Sequence, residues 1–250
     1  MLSGYYTIAS GLLTRQRELN VIGNNLVNTQ SAGYRADRLL ISSFEQELLT
    51  RREGGTGTAV ANGASATAAV ADETVSLFHP GAIAETGRSC DLALAGEGFF
   101  NIAGADGTTY LTRNGAFDLD ENGALVLPGV GRVLGTKGVI TTGSSSFTVT
   151  DTGDVLNASG NYLDTLRITA PADNTALEKL ENGMFRFPAG TQTLPAGDTS
   201  VLQNRLEQSN VDMNREMTLL IESQRAFQAC SSALQIGDAL NRKATQIAAV

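Results

Sequence analysis

Tryptophan is absent from the 250 residues, histidine occurs once (His79), and cysteine occurs twice. One histidine and two distant cysteines, with no Cys-x-x-Cys spacing, exclude the usual Cys/His zinc arrangements. Cys90 and Cys230 are therefore expected as free, buried or partly buried thiols. No apolar run approaches the roughly 18 residues a membrane-spanning helix needs. The opening stretch has no basic leader and is interrupted by Tyr5-Tyr6-Thr7, so a cleaved secretion signal is not expected. A dense basic face is also missing. The net charge is −8; the ends carry +2 (1–35) and 0 (200–250), which leaves −10 between them. Such a chain has little with which to neutralise phosphates, and a nucleic-acid partner is not expected.

Two long apolar stripes are present. Tyr5, Leu12, Leu19 and Leu26 recur every seven residues in a segment that reads as a helix from Ser3 to Asn28. Gln16 and Gly23 lie in the adjoining row, so that seam is half polar. At the other end Leu206, Met213, Leu220, Phe227 and Leu234 repeat the spacing, beside Asn210, Met217, Gln224 and Ser231. Ser200-Val201-Leu202-Gln203 fits a helix-start capping box, and neither glycine nor proline follows until after Ile236. Matched stripes at opposite ends predict terminal helices that pair.

The middle has a different texture. Residues 53–71, beginning Gly54-Gly55-Thr56-Gly57-Thr58 beyond Glu53, read as a linker or extended arm. From Val75 to Gly197 short strand-like runs such as Phe99-Phe100-Asn101-Ile102 and Thr109-Tyr110-Leu111-Thr112 alternate with turn signals such as Ala105-Asp106-Gly107 and Asp120-Glu121-Asn122-Gly123. The expected fold is α+β: N- and C-terminal helices forming a coiled coil, with a central, mostly-β, hairpin-rich domain. Its divisions are an N-terminal helix and turn (1–35), an arm or linker (36–74), a β domain (75–199) and a C-terminal helix (200–250).

Chemical look-alikes are few. Asp118-Leu119-Asp120-Glu121-Asn122-Gly123 matches the first half of a calcium loop, but Gly129 stands where a bidentate glutamate is required. A hairpin turn with positive φ at Asn122-Gly123 is the better reading. Gly135-Thr136-Lys137-Gly138 lacks the glycine geometry of a phosphate loop. Cys90 adjoins Asp91, whose charge disfavours a thiolate, and His79 precedes Pro80 in a turn. No catalytic residue, cofactor or metal is expected.

The residues also carry a resemblance. Leu19-Asn20-Val21-Ile22-Gly23-Asn24-Asn25-Leu26-Val27-Asn28 followed by Ser31-Ala32-Gly33-Tyr34-Arg35 resembles the N-terminal signature of flagellar basal-body rod and hook proteins. Glu207-Gln208-Ser209-Asn210-Val211-Asp212, Glu216-Met217 and Gln224-Arg225-Ala226-Phe227 resemble the family's C-terminal signature. Gly81, Asp91-Leu92-Ala93-Leu94, Gly96-Glu97-Gly98-Phe99-Phe100 and Thr112-Arg113-Asn114-Gly115-Ala116-Phe117 resemble its β-domain entry. Gly23 departs from the alanine usual before the paired asparagines. A middle of this size is most like the distal rod protein or its neighbouring rod subunit.

The resemblance implies a structural subunit of the flagellar rod in the basal body, exported without a cleaved leader and assembling into a helical axial tube through its terminal helices. The implied partners are copies of itself, other rod and hook subunits and the flagellar export apparatus. Candidate interface residues are the stripe members Tyr5, Leu12, Leu19, Leu26, Leu206, Met213, Leu220, Phe227 and Leu234, with Met217. To these the resemblance adds Asn24, Asn25, Asn28 and Asn210 as hydrogen-bonded helix ends and inter-subunit contacts. On this reading, removing residues 1–30 or 205–250 should leave a folded β domain. The rival reading is a secreted β-rich calcium- or carbohydrate-binding protein with helical oligomerisation ends.

Overall fold

The computed structural model describes residues 2–51, 60–104, 107–171, 177–180, 183–187, 193–195 and 199–248. Of the expected 53–71 linker, residues 53–59 lie outside them, as do the turn residues Ala105-Asp106; residues 60–71 are strand. The chain divides into two units. One comprises residues 1–27, 37–75 and 212–250; the other comprises 28–36 and 76–211.

The first unit contains α1 (Leu2–Val27), the strands β1 (Asp37–Arg51) and β2 (Val60–Ser76), which pair as a two-stranded ribbon, and α2 (Met213–Ala248). The second holds the core. Its strands are β3 (Ile83–Glu85), β4 (Leu92–Ala95), β5 (Phe99–Gly104), β6 (Thr109–Thr112), β7 (Asp118–Leu119), β8 (Leu125–Leu127) and β9 (Gly131–Val133). They continue with β10 (Thr148–Val149), β11 (Asp154–Leu156), β12 (Tyr162–Thr165), β13 (Ile168–Pro171), β14 (Glu178–Lys179), β15 (Phe185–Arg186), β16 (Thr193–Pro195), β17 (Ser200–Gln203) and β18 (Arg205–Glu207).

The largest sheet runs β14-β15-β6-β5-β9-β8-β7, with β13 joining at β5. Short hairpins connect most neighbours, as turn residues such as Gly123, at φ +69, allow. Leu92, Phe100, Ile102, Val133 and Val201 are fully buried in one apolar cluster; Phe99, Leu111 and Phe185 form a second. Each such side chain contributes about 1.5–3 kcal/mol by leaving water.

The expected α+β coiled-coil architecture does not form. Strand accounts for 35% of the chain, against helices of 26 and 36 residues, and the class is mainly β with a helix at each end. The two helices do touch, but the stripe members Leu12, Leu19, Leu26, Leu220, Phe227 and Leu234 are only half-buried and others are exposed. Tyr5 is 42% exposed, Met213 44% and Met217 48%. The buried positions of α1 are Thr14, Ile22 and Asn25, and on α2 Ser223 is buried. Ser223 Oγ donates to Glu18 at 2.9 Å. The hydrogen bonds that join α1 to α2 run through the polar side chains of Glu18 and Asn25, which dilute the apolar seam a coiled coil needs.

The C-terminal helix also begins later than the sequence implies. Ser200–Gln203 is a strand paired with Leu92–Ala95, and Val201 is fully buried. The Gln203 side chain donates to the carbonyls of Ser89 and Phe147 and accepts from the Val149 amide, which fixes it in the sheet. The cap of α2 is Asp212, whose Oδ1 accepts from the amides of Asn214 and Arg215 at 3.0 and 3.3 Å.

Candidate functional site

Two features gather segments that are far apart in sequence: a pair of asparagines, and a buried glutamate between two arginines. Asn25 lies in the last turn of α1 and is 2% exposed. Its Nδ2 donates to the Asp37 carbonyl and its Oδ1 accepts from the Asp37 amide, both at 2.9 Å. The side chain thus pairs with the first residue of β1 as another strand would. The same Nδ2 reaches Glu216 Oε2, on α2, at 3.3 Å.

Asn210 does equivalent work in the β unit. Its Oδ1 accepts from the Ala36 amide at 2.7 Å. Its Nδ2 donates to the carbonyls of Leu77 and His79 at 2.8 and 2.9 Å. Its own amide donates to the Tyr34 carbonyl. Residues 34–36, 77–79 and 210 are clasped by one amide side chain.

Three residues further back, Glu207 is 1% exposed. Oε1 pairs with Arg35 Nη2 at 2.7 Å and accepts from the Gly81 amide at 3.0 Å. Oε2 faces Arg113 Nη1 at 3.4 Å. Arg35 is 1% exposed and Arg113 6%. Arg35 also donates to the His79 carbonyl and Arg113 to the Gly96 carbonyl. Burial holds both guanidinium groups below the ordinary arginine range; the Glu207 carboxylate opposes this, and Arg35 adds to the lowering at Arg113. Arg113 further lies over the Phe99 ring, 5.4 Å from its centroid.

The remaining expected site residues are scattered. Leu12, Leu19 and Leu26 on α1 and Leu220, Phe227 and Leu234 on α2 are half-buried, and Asn24 is exposed. Asn28 occupies the 3-10 turn after α1, where its Oδ1 accepts from Ser31 Oγ at 3.0 Å. Leu206 is not helical: it sits in β18 opposite Ala84. Asn25 and Asn210 act within the chain, and neither needs a second copy to satisfy it. Sequence reasoning placed Arg35, Arg113 and Glu207 in separate motifs and did not join them. No local signal marked them: Glu207 stands in the polar run 204–210 and Arg113 between Thr112 and Asn114.

The chemical look-alikes have structural occupations. In the Asp118–Gly123 turn, Asp120 Oδ2 binds Arg132 at 3.0 Å and Oδ1 accepts the Glu121 amide. The Arg132 bond is the main reason the Asp120 carboxyl lies below its usual range. Only Gly123 of the expected Asn122-Gly123 pair takes positive φ. The Gly135–Gly138 loop turns the Lys137 amide onto the Asp164 carboxylate, at 3.1 and 3.3 Å. Cys90 is in the apolar core, where burial pushes its thiol pKa up. Among the described residues, no group of three or more His, Cys, Asp or Glu could hold a metal ion.

Comparison with known proteins gives two domain matches: the C-terminal domain of flagellar basal body rod FlgEFG proteins over residues 202–247, and the flagellar hook protein FlgE/F/G D1 domain over 93–155. The flagellar basal-body rod protein FlgG of Bacillus subtilis is 32% identical, over 95% of this chain and 96% of its own length. FlgG of Agrobacterium fabrum is 32% identical, over 92% and 93%. The flagellar basal-body rod protein FlgF of Caulobacter vibrioides is 29% identical, over 98% of both.

Proposed function

The chain belongs to the flagellar basal-body rod protein family and is a structural subunit of the rod; on that premise we propose that it polymerises through the exposed apolar faces of α1 and α2. The observation that carries this reading is the exposure of large apolar side chains along both helices. Leu13 is 59% exposed and Val27 82% on α1; Ile221 is 52%, Ile236 62% and Leu240 62% exposed on α2. Exposed apolar side chains repeated along both helices are what a neighbouring subunit would cover. Tyr5, Leu12, Leu19, Leu26, Met213, Met217, Leu220, Phe227 and Leu234 lie along the same helices and complete the proposed interface.

The covering surface is a neighbouring subunit: another copy of this chain, or another rod or hook protein above or below it. The location is the basal body, reached through the flagellar export apparatus. No helix of the described residues is long and apolar enough to cross a membrane. The role is mechanical, with no catalytic step.

The test is Ile236→Glu with Leu240→Glu. Both positions are exposed in the single chain, so its thermal transition should stay unchanged while rod assembly and swimming are lost. Normal rods built from the double variant would reject the reading.

A further inference from the structure

Glu207 is the sole carboxylate paired with either Arg35 or Arg113 among the described ion pairs. Both arginines keep an Nε atom without a hydrogen-bond partner even when Glu207 is in place. Without Glu207 the interior of the β unit would contain two facing guanidinium charges and no anion, an arrangement far costlier than its complete form.

Glu207 arrives late along the chain. It lies 94 residues beyond Arg113 and 126 beyond Gly81, both of which it binds. Its own carbonyl accepts from the Gly33 amide, and the next amide, of Gln208, donates to Ala82. The strand it ends, β18, pairs only with β3 among the described strands. The segment 207–210 therefore completes contacts with residues 33–36 and 77–82 that nothing nearer in sequence can make.

We propose that Glu207 is the closing element of the β unit: a chain delivered N-terminus first cannot fold this unit until its last fifth is available, because two arginines meant for the interior lack their anion until then. The device keeps the subunit open during passage through a narrow channel. That use rests on the export reading above; the folding block itself does not.

Refolding of the full chain tests it. Glu207→Gln should slow refolding about tenfold and change the unfolding rate little, the pattern of a group whose contacts form in the transition state. A merely structural role would instead speed unfolding. Because that variant can fail to fold, Arg35→Met, Arg113→Met, Glu207→Met is made alongside. Removing all three charges should restore the wild-type refolding rate. An effect of Glu207→Gln confined to unfolding would overturn the proposal, as would a triple variant that refolds as slowly as Glu207→Gln. Neither result depends on whether the chain is exported or builds a rod.

Discussion

Replacing Asn25 by aspartate changes one nitrogen to oxygen and nothing in size, yet it should unravel the helical unit. The Oδ1 that accepts the Asp37 amide survives. The donor does not: an oxygen now faces the Asp37 carbonyl at 2.9 Å and Glu216 Oε2 at 3.3 Å. Losing a neutral bond removes about 1 kcal/mol, and losing one to a carboxylate about 1.5–3 kcal/mol. Two like charges at that separation repel by about 5 kcal/mol at an effective dielectric near 20; relaxation towards water lowers this, since Glu216 is half-exposed. A net loss of about 4 kcal/mol follows, a large share of a typical domain stability of about 5–15 kcal/mol. Asn25→Ala forfeits these bonds and the one from the Asp37 amide as well, about 3.5–5 kcal/mol in all, without the repulsion.

Urea titration followed at 222 nm measures this, because both helices belong to the unit that holds Asn25. If aspartate loses less than about 1 kcal/mol, the amide is not donating to the Asp37 carbonyl and the clasp is misassigned.

Three other outcomes are expected. Gly115→Ala should abolish folding of the β unit in a thermal melt, because its Cβ would fall 1.6 Å from the Leu92 carbonyl oxygen, a main-chain atom that cannot step aside. Gly23→Ala should raise the stability of α1 by about 0.5–1 kcal/mol in a urea titration, since nothing lies within 4 Å of the added methyl. Titration with an aromatic disulfide reagent at pH 8 should modify Cys230 first and leave Cys90 untouched until denaturant is added. Cys90 is 7% exposed and its thiol titrates above the ordinary range, so thiolate is scarce at that pH.

Local pattern revealed much of the secondary structure and little of what joins it. The runs at Phe99–Ile102 and Thr109–Thr112 are strands, because alternation and turn chemistry are written within a few residues. The stretch 200–207 misled because a capping-box spelling costs only two residues to match by chance. Whether Val201 prefers a helix or a sheet is decided by Leu94, more than a hundred positions away. The heptad rows were legible, but the face of α1 turned to α2 is set by Glu18 and Asn25 finding polar partners, which a hydrophobic count does not weigh. A cut at residue 205 would also take Glu207 from the β unit, which runs to Val211, so a cut after Val211 is the one that respects it.

The chain passes from one unit to the other four times, at residues 27/28, 36/37, 75/76 and 211/212. Neither unit is a continuous stretch of sequence, so no single crossover between two related genes can exchange one whole and spare the other. Length can grow or shrink cheaply at outlying turns such as Gly143–Ser146, which are exposed and serve no crossing. Divergence in this architecture is thus channelled towards ornament on the β unit, while the helices and their attachments must be inherited together.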